Sequence, residues 1–259
     1  MFVEVSTLTL VALALAAFCA GLVDAIAGGG GLIQLPALLI GLPNASTVEI
    51  LGTNKSASVF GTSASALLYR RSVKTEVPFL IAMSLPAFVG STCGASLASK
   101  IPTESMRPIV FVLLVAVGIY TWKRPHLGAI ESLRHNRERR FQIAAVAGLV
   151  VGFYDGIFGP GTGSFLMLVL VSMGFAFLSA SAIAKVVNVS TNLGAILVFG
   201  IHGAIIWKIA LVLACANITG GIVGSRLAIR GGSALVRKFF LVVTFALILK
   251  VGIDTFLNW

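Results

Sequence analysis

Gly21-Leu22-Val23-Asp24-Ala25-Ile26-Ala27-Gly28-Gly29-Gly30-Gly31-Leu32-Ile33-Gln34-Leu35-Pro36 is the stretch that decides the fold. Four consecutive glycines oppose a helix, each by roughly 1 kcal/mol relative to Ala. Apolar residues nevertheless press in from both sides, so an apolar helix must break here, with Asp24 shortly before the break. The arrangement returns 131 positions later as Gly152-Phe153-Tyr154-Asp155-Gly156-Ile157-Phe158-Gly159-Pro160-Gly161-Thr162-Gly163-Ser164. Interrupted apolar segments in corresponding places of two halves point to the binding site of a membrane transporter.

Composition sets the surroundings of those breaks. Hydrophobic residues make up 58% of the chain and mean hydropathy is +1.02. Only 11% of residues are charged, against about a quarter in soluble proteins. Apolar runs near 20 residues recur from end to end, the length a helix needs to cross a bilayer. The fold class is therefore an all-α polytopic membrane protein; the short alternating segments of a transmembrane barrel are absent. The net charge of +10 belongs to loops of such a protein, and no basic stretch carries the interleaved aromatics that stack on nucleic acid. Cys19, Cys93 and Cys215 lie inside apolar runs without metal-ligand spacing and read as packing residues. Glu4 and no base precede the first apolar run, which is the wrong start for a signal peptide.

Organisation follows from the same pattern. Residues 6–27 and 31–42 form the first broken segment, followed by helices at 46–69, 77–98 and 106–122. The polar stretch 123–140 is the candidate linker. A second broken segment at 141–157 and 163–178 then leads to helices near 180–200, 204–228 and 235–257. Lys55 matches Lys185 at an offset of 130, Thr62 matches Asn192, Gly90 and Gly94 match Gly220 and Gly224, and Arg107 matches Arg237. Two equivalent repeats result, 1–122 and 141–259, with the basic linker 123–140 between them.

Loop charge orients them. The stretches 70–76, 123–140 and 226–238 together hold 13 of the 19 Lys and Arg residues. They fall on one side only if each broken segment enters and leaves as a re-entrant hairpin, leaving three single crossings per repeat. The positive-inside rule then makes that side cytoplasmic, makes the repeats inverted in topology and puts both termini outside the cytoplasm.

Four ionisable residues remain inside the apolar spans: Asp24, Asp155, Lys55 and Lys185. A charge in the hydrocarbon core costs at least ~2.5 kcal/mol, so each needs a partner or a wet cavity. The lysines either meet an anionic substrate or neutralise the aspartates. The aspartates read as structural ion pairs, with proton coupling as the alternative. Half-helices starting near Gly31 and Gly163 present unpaired N–H groups and partial positive charge, and Gly28, Gly29, Gly30, Gly31, Gly161 and Gly163 allow an oxyanion close to the backbone. Thr162 and Ser164 add hydroxyls. Asn54, Ser58 and Thr62 share one helix face, as do Asn188 and Asn192, and a polar face in lipid needs partners or a wet path. The GxxxG pairs Gly90/Gly94 and Gly220/Gly224 read as close helix packing. No metal site, no cofactor motif and no catalytic constellation stands out, so an enzyme is not expected.

These residues resemble the sulfite exporter TauE/SafE family of membrane transporters, also described as toluene-sulfonate-uptake permeases. The resemblance is carried by Asp24 with Gly28–Gly31 and Pro36, by Gly52-Thr53-Asn54-Lys55-Ser56-Ala57-Ser58 with Gly61-Thr62, and by Lys185-Val186-Val187-Asn188 with Thr191-Asn192. It spans nearly the whole chain. It implies a permease of the bacterial inner membrane that moves sulfite or organosulfonates, with the glycine stretches, Lys55, Asn54, Lys185 and Asn188 on the pathway. Pro160 and Thr162 interrupt the second glycine run, where the symmetry is weakest. The expected function is a secondary transporter of a small sulfur-containing anion, working by alternating access at a midplane site, with the bilayer as its surroundings and the proton as one candidate coupling ion. The alternatives are an uncoupled anion channel or a carrier of another small anion or carboxylate.

Overall fold

The structure, a computed structural model, describes residues 6–98, 115, 119, 121–123 and 128–256. Among these the chain forms eight helices and no strand: α1 (Thr7–Ala27), α2 (Gly31–Gly41), α3 (Thr47–Ser72), α4 (Val77–Leu97), α5 (Arg137–Ile157), α6 (Thr162–Ser172), α7 (Phe177–Ile201) and α8 (Trp207–Phe256). The helix expected at 106–122 lies almost wholly outside the described residues. Five described spans, in α1, α4, α5, α7 and α8, are long and apolar enough to cross a membrane. The helices are started by their own side chains. Ser6 caps α1 and Asn136 caps α5, while Ser46 and Glu49 form a capping box on α3. Within α8, Gly232 leaves helical geometry (φ 64°, ψ −166°), which places the joint between the two expected last helices at that residue.

Both expected breaks are present. α1 stops at Gly28, whose φ of 77° is a left-handed cap that suits glycine. α6 starts after Gly161, at φ 81°. α2 and α6 have 11 residues each, about 16 Å and half of a ~30 Å hydrocarbon core. The arms are unequal, since α1 and α5 each have 21 residues. α2 doubles back along α1: Gly30 lies against Ala20 and Asp24, and Gly41 lies against Leu13.

The GxxxG residues pack between helices on opposite sides of the basic stretch 123–140. A Cβ on Gly90 or Gly94 would overlap the Leu149 or Phe153 carbonyl of α5. A Cβ on Gly220 or Gly224 would overlap the Phe18 or Leu22 carbonyl of α1. Leu149 and Phe153 lie 131 positions after Phe18 and Leu22, so the two crossings use corresponding residues. With backbones this close, α4 against α5 and α1 against α8 are the most extensively packed helix pairs among the described residues.

Polarity is arranged inside out. Leu8, Leu15, Leu85, Val146, Leu197, Phe245 and Leu249 stand exposed, whereas Lys55, Lys185, Asp155, Asn54 and Asn188 are buried. An apolar exterior around a polar interior is the arrangement a bilayer imposes. The three cysteines, expected as packing residues, are exposed as well; on a helix surrounded by lipid, an apolar neighbourhood does not distinguish inward from outward faces.

Candidate functional site

The two glycine breaks touch. A Cβ on Gly28 would lie 2.6 Å from the Gly163 Cα. The Ser164 N–H donates to the Gly28 carbonyl at 3.0 Å. Carbonyls stranded at the end of α1 are collected from other helices: the Tyr69 hydroxyl donates to Ala25 at 2.9 Å, and Ser181 reaches Ala25 and Ile26 at 3.4 Å. The Tyr154 hydroxyl donates to the Pro160 carbonyl on the second break. Both tips are thus pinned in place without filling the space beside them.

The intramembrane charges form two exchanged pairs. Lys55 on α3 meets Asp155 on α5 at 2.6 Å. Lys185 on α7 meets Asp24 on α1 at 2.8 Å and also donates to the Asp24 backbone carbonyl. Each lysine therefore pairs with the aspartate of the more distant broken segment, not with the aspartate nearer in sequence. The second Asp155 oxygen accepts from the Thr162 hydroxyl at 2.6 Å.

Beside the tips lies a cavity of about 40 Å³, bordered by Asp24, Gly28, Gly30 and Gly31, by Asn54, Lys55, Ser58 and Thr62 of α3, by Asp155, Gly159, Gly161, Thr162 and Gly163, and by Asn188 and Asn192 of α7. The polar faces of α3 and α7 and both glycine breaks thus converge on one space, with room for about three water-sized volumes. Three residues from the sequence reading stand elsewhere. Lys185 is fully buried behind Asp24, Gly29 is outside the lining, and Ser164 spends its hydroxyl on the Ala27 and Gly28 carbonyls. Thr162 borders the cavity, yet its hydroxyl is held by Asp155 and Gly159.

The cavity wall contains acceptors and donors without partners. Asn54 Oδ1, Asn188 Oδ1 and Gln34 Nε2 are buried and make no hydrogen bond among the described residues. Carboxamides rotated about their last bond present an NH₂ group to an oxyanion or the carbonyl oxygen to a cation. Gln34 and Asn217 also line the cavity, and sequence reasoning missed both. The available signal was simple: Gln34 is the only polar side chain in α2, and a polar residue in an apolar segment needs a reason.

The model for sulfite exporter TauE/SafE proteins matches residues 13–251. The chain belongs to the sulfite exporter TauE/SafE family. It is 38% identical to the probable membrane transporter protein ORF9 of Sinorhizobium sp, over 92% of this chain and 90% of that protein. It is 38% identical to the probable membrane transporter protein YfcA of Escherichia coli K12, over 97% of this chain and 92% of that one. A probable membrane transporter protein of Haemophilus influenzae is 34% identical, over 92% of both chains. No solved structure matches this family member. With family and apolar helices in agreement, the chain is a multi-pass membrane protein.

Proposed function

We propose that this protein is a secondary transporter of a small, singly charged sulfur oxyanion, sulfite in its hydrogensulfite form or an organosulfonate, which occupies the cavity between the two glycine breaks during alternating access. The observation that carries the reading is charge balance. Lys55, Lys185, Asp24 and Asp155 cancel, leaving the N-termini of α2 and α6 as the positive features of the wall. Each contributes about half a positive charge, and together they match one negative charge. The donors are the backbone at Gly30, Gly31, Gly161 and Gly163, the amides of Asn54, Asn188 and Asn192, and Lys55. Lys185, Gly29, Thr162 and Ser164 shape the tips, and Asp24 and Asp155 serve as structural partners of the lysines. The scaffold is two inverted repeats, 1–122 and 141–259, joined by a cytoplasmic linker at 123–140, in a bacterial inner membrane.

The test is counterflow of labelled sulfite in proteoliposomes at mildly acidic pH, where hydrogensulfite predominates, competed by a panel of anions. Small sulfonates should compete with sulfite, and sulfate should compete at least about tenfold more weakly, since one uncompensated charge in this wall costs 1.4 kcal/mol or more. Equal competition by sulfate would remove the charge-balance reading. Uptake without accumulation against a gradient would indicate the channel alternative. For topology, a periplasmic reporter joined to the C-terminus should be active; activity of a cytoplasmic reporter there would overturn the hairpin arrangement.

A further inference from the structure

Gln34 and Asn217 form a buried pair in the cavity wall that the repeat does not duplicate. Gln34 is 1% exposed and Asn217 3%. The Asn217 Nδ2 donates to Gln34 Oε1 at 2.6 Å, while Gln34 Nε2 has no partner among the described residues. Both residues border the cavity. Gln34 stands in the first turn and a half of α2, where side chains tilt toward the helix N-terminus. That direction leads back to the glycine break and its unpaired N–H groups. Asn217 is held from behind in a slot of glycines: a Cβ on Gly21 or on Gly61 would run into its backbone carbonyl or its amide oxygen. The slot fixes the Asn217 carboxamide, and Asn217 fixes that of Gln34.

Corresponding positions lack this device. The offset of 131 that relates Asp24 to Asp155 brings Gln34 onto Phe165, a buried ring stacked edge-on against Tyr154 at 5.3 Å. The offset of 130 that relates Gly90 to Gly220 brings Asn217 onto Ala87. A glutamine whose amide protons have no acceptor in an otherwise apolar helix costs stability, and Leu in its place would cost none. An amide with its oxygen occupied and its NH₂ free is a donor with one orientation, suited to an acceptor-only ligand such as an oxyanion.

We infer that Gln34 donates a hydrogen bond to the transported oxyanion and that Asn217 is its positioning residue, so the anion sits off the pseudo-twofold axis, against α2. This rests on the anion reading of the cavity. The test is sulfite and methanesulfonate counterflow with Gln34→Leu, Gln34→Glu, Asn217→Ala and the Gln34→Leu/Asn217→Ala double variant, each checked for a single gel-filtration peak. Gln34→Leu should raise the half-saturation constant by about ten- to a hundredfold, the range for a lost hydrogen bond to a charged group. Gln34→Glu should lose more, because a carboxylate repels the anion. Asn217→Ala should raise the half-saturation constant with little change in maximal rate, and should add nothing in the Gln34→Leu background; a merely structural role would add its effect there. A Gln34→Leu protein within twofold of wild type overturns the inference while the anion reading stands. Wild-type protein that exchanges neither anion overturns both.

Discussion

Lys55→Met alone is expected to lower the melting temperature sharply, by the equivalent of about 3–5 kcal/mol, because Asp155 is left charged and buried. The pair is nearly dry, with side chains 4% and 5% exposed, and the remaining bond from Thr162 does not neutralise the carboxylate. Removing both charges in Lys55→Met/Asp155→Leu should restore the melting temperature to within about 1 kcal/mol of wild type or above it, since apolar replacements of buried ion pairs are often neutral or stabilising. Anion exchange should stay reduced by about ten- to a hundredfold in that double variant, because Lys55 is the lysine that borders the cavity. The corresponding double variant, Lys185→Met/Asp24→Asn, removes both charges while keeping the shape of Asp24, which borders the cavity; it should keep its half-saturation constant within about threefold of wild type, because Lys185 is 0% exposed and stands outside the lining. Thermal melts in detergent and sulfite counterflow measure the two arms. If both double variants exchange anion equally well, or equally badly, Lys55 has no part in binding.

That contrast was only half legible in the sequence. Periodicity and offset identified both aspartates and both lysines, since a charge within an apolar run stands out on composition alone. They did not reveal which lysine meets which aspartate. Partner exchange between distant segments is a property of how α3 lies against the second break, and α7 against the first, and hydropathy has no term for it. The breaks themselves were legible because backbone propensity acts locally: four glycines stop a helix wherever they occur. The shared face of Asn54, Ser58 and Thr62 was legible for the same reason, as helical spacing puts i, i+4 and i+8 together. At the second break the expected hydroxyl donors are already engaged. Ser164 and Thr162 have single protons that nearby carbonyls and Asp155 take up, whereas a carboxamide has four hydrogen-bonding sites and rarely fills them all in a small cavity. Gln34 and Asn217 escaped because neither has a partner at the repeat offset, and a search guided by symmetry passes over what symmetry lacks.

The contact between the breaks leads to the second large effect. Gly28→Ala should unfold the tip: Gly28 has φ 77°, and the new Cβ would stand 2.6 Å from the Gly163 Cα and 2.8 Å from the Ser164 nitrogen. Backbone cannot swing aside as a side chain does, so overpacking and left-handed strain combine to cost about 3 kcal/mol or more. Gly163→Ala meets the same obstacle from the other side, with the Gly28 oxygen at 2.9 Å. Both variants should show a lowered melting temperature and no anion exchange. Gly31 separates packing from function. Its Cβ would find Pro160 Cα no nearer than 3.6 Å, an ordinary contact, and Ala suits the first turn of α2 better than Gly. Gly31→Ala should therefore melt at or slightly above the wild-type temperature. It should nonetheless lose about tenfold or more in anion exchange, because the methyl group intrudes on a cavity of about 40 Å³ beside the α2 N-terminus. A Gly31→Ala protein that is both stable and fully active would mean that the glycines serve only to let two helix ends cross, and that the anion travels by another route.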